Sequence, residues 1–232
     1  MFYITGDTHG DFSRIFEFCN THQLLQQHET LIVLGDAGIN YSGDERDTLL
    51  KNELARLPLT LFCIHGNHEM RPEGSASYAE STWNGGTVYV EAAYPNILFA
   101  KDGEIFELDG IRAITIGGAY SVDKFYRIAR GLHWFEDEQP SKGTKERVES
   151  KLKSVNWKID TVLSHTCPLK YEPREMFLKV IDQSKVDKST EKWLDSIECK
   201  LEYNRWLAGH YHTEKRIDKL QFLYKSILTF PD

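Results

Sequence analysis

Residues 31–36 read Leu-Ile-Val-Leu-Gly-Asp, an apolar run that stops at a glycine and a carboxylate. Similar runs in residues 3–9, 62–69, 161–165 and 206–212 also lead into Asp, Asn or His. Short apolar runs of this kind are typical of buried strands. In open α/β sheets, ligands bind outside the carboxyl ends of the strands. These runs therefore predict oxygen and imidazole ligands gathered along one edge of a sheet.

Helical stripes separate the first strand patterns. After the first run, apolar residues recur at the i, i+3, i+4, i+7 spacing of an amphipathic helix at Phe12, Ile15, Phe16 and Cys19. A second stripe precedes the strand pattern of residues 59–64 and consists of Leu50, Leu54 and Leu57. Strands that alternate with such helices predict crossover connections, a largely parallel sheet and the α/β class.

The pattern changes after residue 86. Short apolar runs separated by Lys-Asp-Gly and Asp-Gly turns predict hairpins over residues 87–90, 97–100, 104–108 and 111–116. The later spacing predicts helices at 148–155 and 190–203, strands at 161–164 and 205–209, and a strand pair within 222–230. Since no repeat, low-complexity tract or Pro/Ser-rich linker marks a boundary, we expect one domain over residues 1–232.

The composition restricts the partners. The 232 residues carry 28 Lys and Arg against 35 Asp and Glu, a formal net charge of −7, which argues against an extended nucleic acid or an anionic membrane as partner. No apolar run approaches the ~20 residues of a membrane span, and residues 1–7 lack a secretory signal pattern, so we expect a cytoplasmic protein. Protein partners stay unknown. The cysteines form no CxxC pair and are interpreted as reduced packing residues: Cys19, Cys63, Cys167 and Cys199.

The polar residues after the strand patterns resemble metal ligands. Alternate residues of an extended chain point the same way, so Asp7 with His9, and His210 with His212, can each direct two ligands into one space. A mixed Asp, His and Asn set suits Mn, Fe or Zn better than Ca. The candidates exceed one ordinary site, and two ions that share Asp36 would use them all: Asp7, His9, Asp36, Asn67, His165, His210 and His212.

The ordered set of motifs resembles the calcineurin-like metallophosphoesterase superfamily. The matching motifs are Asp7-x-His9, Gly35-Asp36, Gly66-Asn67-His68-Glu69, His165 and Gly209-His210-x-His212. The resemblance implies a four-layer α/β/β/α sandwich of two mixed β-sheets flanked by helices, which strand and helix spacing alone does not distinguish from a doubly wound sheet. It also implies that one ion is bound by Asp7, His9 and His212, the other by Asn67, His165 and His210, with Asp36 as the bridge.

The resemblance implies hydrolysis of a phosphomonoester or phosphodiester, with a small phosphoester as substrate. Two divalent ions can share a hydroxide and hold phosphate for in-line attack, and the family pattern makes His68 the general acid. Protein serine/threonine phosphatases of this superfamily carry an Asp-Arg pair soon after Gly-Asp, where this chain has Ile39 and Asn40. We expect Arg71 or Arg127 to supply the missing cation, with Arg130 as a further possibility.

Several alternatives stay open. Within enzymes, the rival is a phosphodiesterase that acts on cyclic nucleotides or nucleic-acid ends. A catalytically silent scaffold of the same fold and a site for a single metal ion are the others. Residues 117–140 are either a substrate-gripping loop or a surface loop with packed aromatics, and Glu69 is a solvated or supporting carboxylate. The remaining histidines are interpreted as surface or core residues: His22, His28, His65 and His133.

Overall fold

The computed structural model describes residues 1–24 and 29–231, so His28 lies outside the described residues. The strands are β1 (Phe2–Thr5), β2 (Glu29–Val33), β3 (Leu59–Cys63), β4 (Ala79–Trp83), β5 (Gly86–Val90), β6 (Ile97–Ala100), β7 (Ile105–Leu108), β8 (Ile111–Ile116), β9 (Thr161–Ser164), β10 (Arg205–Ala208), β11 (Lys215–Ile217), β12 (Leu220–Phe222) and β13 (Leu228–Phe230). The α-helices are α1 (Ser13–Thr21), α2 (Glu45–Leu54), α3 (Lys124–Arg130), α4 (Lys142–Ser154) and α5 (Ser189–Glu198).

The described strands form two mixed sheets. The first has the order β13-β1-β2-β3-β6-β5-β4, and the second has the order β11-β12-β10-β9-β8-β7. At the centre of the first sheet, β1, β2, β3 and β6 run parallel. At the centre of the second, β8, β9, β10 and β12 do the same. The predicted parallel crossovers are confirmed there, whereas the outer strands are antiparallel.

The predicted hairpins are confirmed in part. β5 pairs with β6, and β7 pairs with β8 across the Asp109-Gly110 turn. The Lys101-Asp102-Gly103 turn instead leads from the first sheet into the second. The predicted strand pair within 222–230 is wrong, because β12 joins β10 whereas β13 lies along β1 in the other sheet. An apolar run does not encode which of two sheets it joins, and β4 was missed because its side chains are mostly exposed.

The two sheets face each other across a shared core. Phe2 and Ile4 of β1 pack in one cluster with Leu163 of β9 and Leu207 of β10. Because strand side chains alternate between faces, Tyr3 points the other way and packs with residues of α1 and α2. On the far side, α4 and α5 cover the second sheet in the same manner. The predicted four-layer arrangement of two mixed sheets flanked by helices is confirmed.

Helix α3 differs from the others because no residue of 124–130 is buried. It lies in the stretch 117–140, which carries no apolar stripe to predict a helix. The helix ends at Gly131, whose φ of 65° is a left-handed cap conformation that glycine adopts without strain. α3 therefore belongs to none of the four layers, and its role must lie at the surface.

The cysteines are all unpaired thiols, as predicted. Cys19, Cys63 and Cys167 are buried, whereas Cys199 is exposed, so the interpretation of Cys199 as a packing residue is wrong. Among the described residues, no helix combines the length and the apolar character needed to cross a bilayer.

Candidate metal centre

The predicted ligands follow the central strands of both sheets. β1, β2 and β3 end shortly before Asp7, Asp36 and Asn67, and β9 and β10 end shortly before His165 and His210. Parallel strands end at the same edge of a sheet, and the two sheets face each other, so these chain segments meet. Contacts among the side chains bring together all seven predicted ligands: Asp7, His9, Asp36, Asn67, His165, His210 and His212.

One group of ligand atoms consists of Asp7, His9 and His212. The Nε2 atoms of His9 and His212 lie 2.9 Å apart. Asp7 Oδ2 lies 3.2 Å from Nε2 of His212 and 3.7 Å from Nε2 of His9. Ligand atoms bound to one ion at about 2.1 Å are separated by roughly 3 Å. The three side chains therefore have the spacing of a shared ligand shell.

A second group consists of Asp7, Asp36 and His165. In each group, the ligand atoms lie within 4.8 Å of one another. Asp36 stands between histidines of the two sheets, because its Oδ1 lies 3.7 Å from Nε2 of His165 and its Oδ2 lies 3.8 Å from Nδ1 of His9. The two groups are therefore adjacent and are connected through carboxylates.

The contacts of His165 fit a cation. Its Nδ1 lies 2.8 Å from the Leu34 carbonyl and must donate to it, which leaves the lone pair of Nε2 free when the ring is neutral. That Nε2 lies 2.8 Å from Oδ1 of Asn67, and the amide nitrogen of Asn67 donates to Ser121. Two lone pairs that face each other at this distance suit a shared cation. The ring of His210 packs beside His165, with centroids 4.9 Å apart.

Both carboxylates are held by backbone N–H groups. The N–H of His210 donates to Oδ1 of Asp7 at 2.9 Å, and the N–H of His68 donates to Oδ1 of Asp36 at 2.8 Å. Such supporting hydrogen bonds orient metal ligands and are a common feature of metal sites. Together with the mixed Asp, His and Asn donor set, they fit borderline divalent ions such as Mn, Fe or Zn.

The pKa values reflect charge concentrated at the centre. Burial alone would raise the pKa of Asp7, but the hydrogen bond from His212 and the neighbouring histidines lower it. The same hydrogen bond to Asp7 raises the pKa of His212. Desolvation lowers the pKa of His210 well below its ordinary value. The carboxylate of Asp7 is therefore stabilised as an anion, which is the form that binds a cation.

Four of the ligand positions have a left-handed backbone. The φ angles are 48° for His9, 47° for Asp36, 66° for His210 and 49° for His212. Non-glycine residues adopt this region rarely, and such strain collects at functional sites. At these four positions the left-handed residue turns the chain just after a strand ends.

Glycines allow the segments to approach. A Cβ on Gly35 would overlap the ring of His165, and a Cβ on Gly66 would overlap Asp36. At both positions the absence of a Cβ therefore permits the close approach of the two segments.

His68 lies beside the ligands and faces α3. Nη2 of Arg127 lies 3.4 Å from Nε2 of His68, while Nε of Arg127 donates to Asp123 at 2.8 Å. Nη1 of Arg127 also donates to the Tyr41 hydroxyl at 3.2 Å. Desolvation and the Arg127 charge lower the pKa of His68, against the opposing effect of Asp36. Arg127 thus lies at the site, and its role as a phosphate-binding cation stays a prediction.

Arg71 is not brought to the site. Its Nη1 forms a 2.6 Å ion pair with Asp102, and its Nε donates to the Asp137 carbonyl at 2.9 Å. Arg71 is absent from the described residues that line the cavities beside His68. Arg71 was expected at the site because it lies three residues after His68, but its side chain points towards Asp102 in the Lys101-Asp102-Gly103 turn.

Glu69 and Arg14 support the loops that carry the ligands. Glu69 is fully buried and accepts hydrogen bonds from the N–H groups of Gly66 at 2.9 Å and Gly38 at 3.1 Å. Nη2 of Arg14 donates to the carbonyl of Asp7 at 2.9 Å and to that of Tyr224 at 3.0 Å. Glu69 is thus a supporting rather than a solvated carboxylate. Arg14 was missed, because nothing in its local sequence separates it from a surface arginine of α1.

The stretch 117–140 lies partly at the site. Tyr120, Val122 and Arg127 line the cavity beside the ligands. Phe125 and Tyr126 are exposed rather than packed on the core. The remaining described histidines behave as interpreted, since His65 is buried whereas His22 and His133 are exposed.

The family model for calcineurin-like phosphoesterase matches residues 1–214. The chain belongs to the calcineurin-like phosphoesterase family. Membership supports a phosphoesterase and a site for divalent metal, and it is consistent with the two-sheet architecture. No curated protein matches the chain.

Solved structures with a likeness to this calcineurin-like phosphoesterase include three proteins. A protein of unknown function from Aquifex aeolicus is 16% identical, with 74% of this chain and 81% of that chain covered and a TM-score of 0.35. A phosphopantetheinyl hydrolase from Mycobacterium tuberculosis is 14% identical, with 96% and 87% covered and a TM-score of 0.39. A protein serine/threonine phosphatase from Saccharomyces cerevisiae is 14% identical, with 96% and 66% covered and a TM-score of 0.34. At these values the likeness carries no argument about substrate.

Proposed function

We propose that the chain hydrolyses a small phosphomonoester or phosphodiester with the help of two divalent metal ions. The observation that carries this proposal is the convergence of ligand atoms from both sheets in two adjacent groups that share Asp7. Manganese, iron and zinc all suit the donor set.

Seven residues would hold the ions. Asp7, His9 and His212 would bind one, and Asn67, His165 and His210 the other. Asp36 would bridge, which is supported by its two oxygens, each within 3.8 Å of a histidine nitrogen of a different sheet. When bound, such a pair of ions supplies positive charge for phosphate and an acidified water as nucleophile.

Side chains of the protein would bind a phosphate oxygen and protonate the leaving group. Arg127, held by Asp123 and Tyr41, would donate to a non-bridging phosphate oxygen. Once released from the Arg127 contact, His68 would take up a proton from solvent at Nε2. It would transfer this proton to the leaving alkoxide, which would depart as the alcohol and leave a neutral ring. The backbone hydrogen bond from His68 to Asp36 keeps the ring next to the ligands.

Of the two ester classes, one observation favours the phosphodiester. Two cavities meet at the site, of about 560 Å³ and about 320 Å³, and His9, His68 and Arg127 line both. A diester could therefore place one substituent in each cavity. An open diester with two small substituents would be accommodated in this way. A cyclic nucleotide carries both ester oxygens on one ribose and would not use the two cavities separately, and the net charge of −7 opposes a long nucleic acid.

The test is hydrolysis of paired model substrates, p-nitrophenyl phosphate and bis-p-nitrophenyl phosphate, with Mn²⁺, Zn²⁺ or Fe²⁺. We expect metal-dependent turnover that EDTA abolishes, and the ratio of the two rates assigns the ester class. Metal bound without turnover on either substrate would favour the scaffold alternative. A cytoplasmic location stays a prediction that localisation of a tagged chain would test.

A further inference from the structure

We propose that the organic part of the substrate is an apolar chain or ring that carries one hydrogen-bond donor, and that it binds in the larger cavity against residues 176–191. This inference rests on the proposed phosphoesterase function and names the substrate class.

The larger cavity continues directly from the metal centre. Its lining includes the candidate ligands His9, Asp36 and His210 together with the apolar side chains of Phe177, Leu178 and Ile181. Its volume of about 560 Å³ lies within the range of small-molecule sites, which is roughly 300 to 1,000 Å³. A phosphate at the ligands would therefore direct its substituent along the apolar wall.

Apolar side chains at this wall are open to solvent. The exposed fractions of Met176, Leu178 and Val122 are 41%, 57% and 37%. All three line the cavity. Covering such side chains with an apolar ligand removes their surface from water, which is favourable.

The cavity offers little charge to a second phosphate. Besides Arg127, Lys188 is the lining cation in the described part of the chain. The ammonium of Lys188 lies 2.8 Å from both carboxylate oxygens of Glu172 and 4.5 Å from the centroid of the Phe177 ring. Lys188 is thus already neutralised, which disfavours a polyphosphate or a nucleotide chain in this cavity.

Glu191 places at the apolar cavity a buried carboxylate oxygen without a hydrogen-bond donor within residues 1–24 and 29–231. Its residue surface is only 4% exposed, and its Oε1 accepts a hydrogen bond from the Thr166 hydroxyl at 2.9 Å. Its Oε2 is buried and lacks a hydrogen-bond partner among the residues that the structure describes. Leaving a buried polar atom unpaired is unfavourable. A donor on the ligand would satisfy this oxygen, and Glu191 lines the cavity where the ligand would bind.

The first experiment measures binding of n-alkylphosphonates, from methyl to octyl, to the Mn²⁺-loaded protein by calorimetry. A buried methylene is worth about 0.8 kcal/mol, so we expect affinity to rise roughly threefold to fourfold per carbon until the cavity is filled. Leu178→Asp should flatten this rise. Val180→Asp is the matched control, because Val180 is 89% exposed two residues away and does not appear in the described lining.

The outcomes separate the two proposals. If methylphosphonate binds but longer chains gain nothing, the apolar subsite is disproved and the phosphoesterase function stands. If Leu178→Asp and Val180→Asp change the chain-length dependence equally, the assigned wall is wrong. If no phosphonate binds and no phosphoester is hydrolysed, the proposed function fails and the subsite fails with it.

The second experiment tests the donor requirement with ω-hydroxyalkylphosphonates, each compared with the alkyl analogue of equal length. Binding is measured above the Glu191 pKa of about 7, where the carboxylate is ionised and Oε2 can only accept. We expect one length at which the hydroxyl compound binds at least as tightly as its methyl isostere. Glu191→Met keeps the side-chain length but removes the acceptor, so the hydroxyl compound should lose about tenfold relative to its isostere. Because both ligands are measured on the same protein, altered folding cancels. An unchanged ratio would exclude Glu191 as the acceptor.

Discussion

Nη2 of Arg127 lies 3.4 Å from Nε2 of His68, and this contact joins the exposed helix α3 to the edge of the metal centre. Asp123 holds the guanidinium from one turn earlier in the same segment. The Asp-Arg pair that protein phosphatases of this superfamily carry after Gly-Asp is replaced here by Ile39, a core residue, and Asn40, which accepts from the Tyr78 hydroxyl. The structure therefore offers Asp123 and Arg127 as an Asp-Arg pair from a different part of the chain.

Arg127→Ala should weaken phosphate binding. Removing a charge-assisted donor near the ligands is expected to raise KM about tenfold and to lower kcat/KM by roughly a hundredfold. Steady-state kinetics on p-nitrophenyl phosphate measure both values. Arg130→Ala is the control on the same helix, since the guanidinium of Arg130 packs over Tyr126. Equal effects of the two substitutions would remove Arg127 from the site's chemistry.

His68→Ala should keep the metal and lose turnover. General acid catalysis contributes typically 10² to 10⁴-fold, and we expect a loss of that order for alkyl phosphates. Aryl phosphates have leaving groups that need less protonation, so their loss should be smaller. Metal analysis and kcat for a series of leaving groups measure the two effects. An equal loss across the series would argue that His68 positions other groups and does not donate a proton.

Asp36→Ala should reduce the bound metal. The wild-type chain is expected to hold two Mn²⁺ per chain, whereas the variant loses the carboxylate between the two histidine groups and should hold at most one at the same free concentration. Elemental analysis after dialysis gives the count. His22→Ala, which changes an exposed histidine on the far end of α1, should keep both ions. Two ions retained by Asp36→Ala would rule out the proposed bridge.

Local sequence patterns could predict that the candidate ligands come together, because each one follows the end of a strand within four residues. His165 and Asp36 could be placed together without knowledge of the second sheet, since all strand ends were expected at one edge. The partition into two sheets could not be predicted, because β12 and β13 are both short apolar runs. Arg71, Arg127 and Arg14 look alike in sequence, and only tertiary contacts separate them.

Arg71→Met tests whether Arg71 stabilises the fold or binds phosphate. The ion pair of Arg71 with Asp102 is largely buried, with side chains 12% and 2% exposed. Removing one partner of a buried pair leaves an uncompensated charge, which typically costs about 3 to 5 kcal/mol. We expect a loss of that order in the free energy of unfolding from urea titration, with KM unchanged under conditions where the variant is folded. A raised KM without a loss of stability would indicate that Arg71 binds phosphate.

The stability of the protein should depend on pH through Glu191. Burial raises the pKa of this carboxyl to about 7 in the folded chain, from an ordinary value of 4.5. A raised acid pKa means that the folded state favours the protonated form, so the stability due to Glu191 is fully present below pH 4.5 and is lost as pH rises through 7. Glu191→Gln cannot ionise and should escape this loss.

The difference between wild type and Glu191→Gln isolates this effect, because the metal-ligand groups titrate alike in both proteins. Between pH 4 and pH 8, the free energy of unfolding of the wild type should fall relative to the variant by on the order of 3 kcal/mol. Urea titrations of both proteins in EDTA at several pH values measure the difference. Parallel stability curves would mean that the Glu191 carboxyl keeps its ordinary pKa in the folded chain. In that case the carboxyl would reach solvent, and water rather than a ligand would satisfy its Oε2.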